Sequence, residues 1–182
     1  MLDPMTANGE VAPEFQISEW LNSERPIELA RLRGLPVILH AFQMLCPGCV
    51  SHAIPQTQRV QQIFAKTDLV VLGLHTVFEH HQAMTPLALR AFAHEYRLTF
   101  PIGIDQPGSP GPTPRTMESY RMRGTPTTIL IDREGRLAAQ FFGQIEDLAL
   151  GAMIQSLLER NRLQANSSTE HEIVTPIGCA TA

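Results

Sequence analysis

Cysteine is scarce in this chain, with three among 182 residues. That excludes a disulfide-framed mini-protein, because such scaffolds need several bridges. Nor are bridges required, since a chain of this length buries an adequate core without staples. Positive charge is not in excess either. The net charge is −4 with seven histidines counted neutral, which argues against nucleic acid or an anionic lipid surface as partner. Nowhere do some 18 apolar residues run together, so no membrane span is expected. The opening "MLDPMTANGEVAPEF" lacks a basic segment followed by an apolar one. No secretory leader is therefore expected, and a cytoplasmic location follows.

What is present reads as one globular domain, 43% hydrophobic and 18% charged. Residues 1–12 are small and polar and are read as a flexible arm, 13–163 as the domain, and the Ser/Thr-rich 164–182 as a tail. "PEFQISEWLNSERPIELARLRG" has room for one or two short strands or turns. "PVILHAF", "DLVVLGLHT" and "TFPIGID" are compact apolar runs of strand type. Between the first two, Val60, Ile63 and Phe64 fall at helical spacing, and Pro55 is expected to kink or shorten that helix. "MTPLALRAFAHEYRL" predicts an inserted helix, with Thr85 as cap and Pro86 at the first turn.

"QPGSPGPTPR" is loop by composition, and "TMESYRMRG" predicts a short helix closed by Gly124. "TPTTILIDREGRLAAQFFG" predicts a hairpin turning at Arg133 to Gly135. The closing amphipathic helix, "IEDLALGAMIQSLLERNRL", has Leu148, Ile154, Leu157 and Leu158 as its apolar residues. Parallel βαβ pairing followed by a hairpin gives an α/β fold. The expected architecture is a mixed central sheet flanked by helices, with an inserted helix between the second and third core strands.

Two of the three cysteines stand three apart, Cys46-Pro47-Gly48-Cys49, where a strand gives way to a helix. At a helix N-terminus unpaired N–H groups and the dipole favour an anion. A cysteine placed there is held toward thiolate and becomes a nucleophile. A second cysteine nearly one turn along is placed to close a disulfide. Exchange then runs through a mixed disulfide that the second thiol resolves, which makes Cys46 the nucleophile and Cys49 the resolving residue. Half of a zinc site is the competing reading, with His75, His80 and His81 of "HTVFEHH" as the available histidines.

"VILHAFQMLCPGC" and "RGTPTTILIDREGRL" together resemble the thioredoxin-like proteins, specifically the redoxin branch with its TlpA-type disulfide reductases and AhpC/TSA-type relatives. The likeness covers about residues 13–160. It implies a thioredoxin-like fold, no cofactor, and thiol–disulfide exchange that reduces protein or small-molecule disulfides. Electrons would come from a donor thiol or reductase. It also places a cis-proline at Pro126, preceded by Thr125 and facing the disulfide.

The chain departs from its relatives at several places. The buried acid expected six residues before the first cysteine is His40, and the glutamate expected three after the second is His52. Either histidine is a candidate to take the proton of Cys49. The helix proline, Pro55, sits one place late, and Leu45 replaces the tryptophan before the first cysteine. Two alternatives remain open. A peroxiredoxin-like peroxidase is one, although Leu39 and Gln43 occupy its Pro and Thr places. A metal-binding or metallochaperone module using Cys46, Cys49 and a histidine is the other. Glu79, His80 and His81 are candidates for metal or proton traffic, Arg121 and Arg123 for steering anions, and Cys179 is a thiol of unassigned role.

Overall fold

The computed structural model describes residues 9–169. Strand β1 (Ile17–Leu21) and a 3-10 turn (Leu29–Leu32) precede β2 (Val37–Phe42). A π turn (Cys49–Ala53) then leads into α1 (Ile54–Ile63), followed by β3 (Val70–His75), α2 (Pro86–Glu95) and β4 (Ile102–Asp105). The remainder is α3 (Arg115–Ser119), β5 (Thr127–Ile131), β6 (Leu137–Phe142) and α4 (Asp147–Thr169). The six strands form one sheet in the order β1-β4-β3-β2-β5-β6. Strands β2, β3 and β4 are parallel, while β1, β5 and β6 pair antiparallel. The expected mixed sheet is observed, with α2 as the inserted helix.

Alternation along the central strands separates two layers. Val37, Leu39 and Ala41 of β2 join Leu72, Leu74, Ile129 and Ile131 beneath α3 and the N-terminal segment. Ile38 and Phe42 face the other way, toward α1, α2 and α4. Central strands buried on both faces read as unbroken apolar runs, which is why "PVILHAF" is legible. The inserted helix is capped as expected, with the Ala88 N–H donating to Thr85 Oγ1 at 3.2 Å and Pro86 at the first turn.

Several expectations need correcting. Pro55 lies in the first turn of α1, and the stretch before it is wound as a π turn. The Ile54 N–H reaches back five residues to Cys49 O, which accommodates a proline whose missing N–H and ring disfavour ordinary α-winding. Helix α3 stops before Gly124. Arg121 takes a left-handed φ of 51°, and the Met122 N–H closes on Met117 O at 3.0 Å, a helix-ending geometry that also buries Met122. Helix α4 continues past residue 163.

The supposed arm is tied down at its end. Val11 bridges to Arg136, Ala12 N–H donates to Gly135 O, and Leu137 N–H donates to Glu10 O, both at 2.9 Å. Leu148 and Ile63, read as apolar-face residues, are exposed, and so is Leu87 of α2. Ile154 and Leu157 in α4 and Val60 in α1 are buried as expected, and Leu150 in α4 and Leu89 in α2 are buried with them.

Candidate active site

The three parallel strands end side by side: Phe42 pairs with His75, His75 pairs with Ile104, and Asp105 closes β4 one residue on. Open α/β sheets place their ligand crevices at this end. Beyond β2 the chain turns tightly, with the Cys46 N–H donating to Gln43 O at 3.3 Å, and the helix opens. Cys49 N–H donates to the Cys46 sulfur at 3.2 Å and to Cys46 O at 3.0 Å. Val50 N–H also donates to Cys46 O, at 3.1 Å. An amide opening the helix therefore points at the first sulfur. Cys46 is half-buried and Cys49 fully buried.

The second sequence motif closes over the first. The Thr125–Pro126 peptide bond is cis. The Cys46 thiol donates to Thr125 O at 3.5 Å, although the two residues stand 79 apart in the chain. A Cβ placed on Gly48 would lie 3.5 Å from Pro126 Cδ, so the turn between the cysteines packs directly beneath the proline ring. Gln43, 1% exposed, reaches Thr125 Oγ1 with its Nε2 at 3.5 Å. Sequence reasoning gave Gln43 no such role. It follows the inward parity of Leu39 and Ala41, and that polar residue at the end of an apolar strand was the available signal.

Residues 8–140 match the AhpC/TSA family. The chain belongs to that family. Its structure superposes on the thioredoxin-like superfamily protein SPOA0173 with a TM-score of 0.80 and 56% identity, covering 82% of this chain and 96% of that one. A thiol-disulfide isomerase from Corynebacterium glutamicum gives 0.78 and 43%, covering 83% and 97%. DipZ of Mycobacterium tuberculosis (strain CDC 1551 / Oshkosh) is 28% identical over 91% of this chain, which spans only 24% of DipZ. By family and fold this AhpC/TSA member is thioredoxin-like.

The electrostatics distinguish the two cysteines of this AhpC/TSA site. The Cys49 thiol is pushed up to about 12. Burial is the main cause, and its hydrogen bond with Cys46 adds to it. His40 lies in β2 opposite Thr128 of β5, on the sheet face beneath α1. Burial, with His52 contributing, holds it down to about 4. One ring nitrogen, Nδ1, meets Thr128 Oγ1 at 3.1 Å, while Nε2 is buried without a partner. His52 lies in the π turn, three residues after Cys49. Its Nε2 donates to Ile145 O at 3.2 Å, beside Gln56 Nε2, which donates to the same carbonyl at 2.7 Å.

The structure thus gathers Cys46, Cys49, Thr125 and Pro126 in direct contact, with His40 on the sheet below and His52 on the flanking turn. Glu79, His80 and His81 are exposed. Among the described residues no three His, Cys, Asp or Glu side chains group as a metal set. Cys179 lies outside the described residues.

Of two further buried groups, Asp105 escaped the sequence reading and His75 entered it only as an available zinc histidine. His75, at the end of β3, packs with Phe42 at 5.5 Å between ring centroids, and burial lowers it to about 4. Asp105 accepts from Thr116 N at 2.8 Å, Met117 N at 3.0 Å and Thr76 Oγ1 at 2.9 Å. It thereby ties the start of α3 to the sheet.

Proposed function

We propose that this protein is a dithiol–disulfide oxidoreductase that reduces client disulfides through Cys46 and Cys49. The reading rests on the asymmetry of the pair. Cys46 is accessible and receives an amide hydrogen bond, whereas Cys49 is buried with its proton held tightly. The Cys46 thiolate attacks one client sulfur, the client S–S bond breaks, and the second client sulfur leaves as thiolate. Cys49 then loses its proton and attacks Cys46 Sγ. That forms the Cys46–Cys49 disulfide and releases the client's first sulfur as a thiol, two electrons having passed to the client. An external thiol or reductase restores the dithiol. The Thr125 carbonyl and cis-Pro126 line the face on which the mixed disulfide forms.

The directions of the shifts bear on the proton acceptor. Burial raises the Cys49 thiol and lowers His40, so passing the proton from one to the other is uphill. His40 is therefore poorly suited, and its place is in holding β5 through Thr128. His52 is the better base. Its Nε2 proton is committed to Ile145 O, which leaves Nδ1 as an acceptor one turn from Cys49.

The test is reduction of a disulfide-bonded protein such as insulin, followed against pH. The expected result is no turnover for Cys46→Ser, a trapped mixed disulfide for Cys49→Ser, and a changed pH–rate profile for His52→Ala but not for His40→Ala. Full turnover by Cys46→Ser overturns the reading. An unchanged profile in His52→Ala removes that base assignment. Rapid hydrogen peroxide consumption that needs Cys46 but not Cys49 would instead indicate a peroxidase.

A further inference from the structure

Beside the cysteines, the loop carrying Thr125 and Pro126 bears a feature the exchange chemistry does not use. The Arg123 guanidinium carbon lies 5.3 Å from the Phe142 ring centroid. Both side chains are at the surface; Phe142 is 44% exposed. The stack is built onto the loop. A Cβ on Gly124 would meet Phe142 Cε2 at 3.0 Å, so the glycine admits the ring against the backbone immediately before Thr125. The Gly143 N–H donates to Pro126 O at 2.8 Å, which fastens the end of β6 to the same loop. The guanidinium is thus held two residues from the carbonyl that meets the Cys46 sulfur.

Its charge is uncommitted. Among the described residues neither Arg121 nor Arg123 enters an ion pair, whereas Arg31, Arg59, Arg90 and Arg133 do. From Arg115 to Arg123 three arginines face one acid, Glu118, in a chain whose net charge is −4. On the rim beside Cys46, Leu45 is 57% exposed. A planar cation stacked on an aromatic ring keeps its outward N–H groups free for a carboxylate and loses little freedom on binding one. An exposed leucine and an exposed phenylalanine suit an extended polypeptide better than a small polar disulfide.

From these observations we infer that Arg123, positioned by Phe142, selects polypeptide clients that carry an acidic residue next to the attacked cysteine. The inference rests on the reductase reading above. In the complex the client's extended segment lies along the Thr125–Pro126 loop, and a Glu or Asp beside its cysteine meets the Arg123 fork. The contact acts on recognition and leaves the sulfur chemistry unchanged.

The experiment uses three disulfide-linked peptides identical except for Glu, Gln or Lys beside the cysteine, with glutathione disulfide as a fourth substrate. kcat and KM are measured at low salt and in 0.5 M salt. The expected result is a roughly three- to ten-fold preference in kcat/KM for Glu over Gln at low salt, the range of a rim charge contact. The preference should reside in KM, reverse for Lys and shrink in high salt. Arg123→Gln should bring the Glu/Gln ratio to about one and Phe142→Leu should lower it, while Arg31→Gln, away from the loop, should retain it. Equal rates for all three peptides, or a ratio that survives Arg123→Gln, overturn the inference and leave the reductase reading standing. Arg123 dependence seen only with glutathione disulfide also overturns it. Failure to reduce any substrate overturns the reductase reading itself.

Discussion

Acidification should destabilise this fold well before its carboxylates titrate. His40 and His75 are buried and held at about 4, against an ordinary 6.5. Between those values the unfolded chain binds a proton at each site that the native protein refuses, so stability rises with pH across the window and falls as pH drops through it. At pH 5 the loss is about 2 kcal/mol per histidine, and at pH 4 about 3 kcal/mol, worked from the fall from 6.5 to about 4. Two such sites together remove about 4 kcal/mol by pH 5, a large part of the 5–15 kcal/mol typical of a domain.

The carboxylates do not mimic this. Burial raises Asp105, so its protonation favours the native state as pH falls, the opposite sign. Asp147 is lowered by Gln56 and Arg59, and its contribution is lost only below the ordinary carboxylate value. Urea unfolding at pH 7.5, 6, 5 and 4.5 should show the midpoint falling at constant m-value. His75→Leu, apolar and of similar size beside Phe42, should remove about half of the slope. A midpoint unchanged from pH 7.5 to 5, or a full slope remaining in His75→Leu, would refute the reasoning.

Two further outcomes are expected. In the reduced protein at pH 8, a thiol at about 12 is ionised in only about one molecule in ten thousand. Iodoacetamide followed by peptide mapping should therefore label Cys46 while Cys49 stays free, and comparable labelling of both would contradict the asymmetry. Gly73→Ala should cost about 1–3 kcal/mol in urea unfolding, because its Cβ would come within 2.8 Å of Phe100 Cε2 and 3.2 Å of Ile102 Cγ1 in the core. An unchanged midpoint would show that Phe100 moves aside freely.

The sheet is legible from local pattern because its central strands are buried on both faces and spell themselves as apolar, β-branched runs. Thr85-Pro86 announces α2 because its capping is local chemistry. What escapes depends on partners distant in sequence. The π turn exists because Pro55 must fit a helix anchored at Cys49. The end of α3 is set by Arg121 turning left-handed so that Met122 can be buried. At the site, the Cys-x-x-Cys spacing points to Cys46 and Cys49, while Thr125 and Pro126 come only from the family resemblance. The direction of His52 toward Ile145 is a property of the packed loop before α4. The buried reach of Gln43 to Thr125, and the three bonds on Asp105, likewise join strand ends to loops that no periodicity connects.

The pairing of residues 10–12 with the turn before β6 has a bearing on how the molecule meets other chains. Strand β6 is the last in the sheet, and an outermost strand offers its outward amides and carbonyls as a template for any passing backbone. By laying its own beginning over the Arg136–Leu137 end, the protein blocks that template where it lies far from the sulfurs.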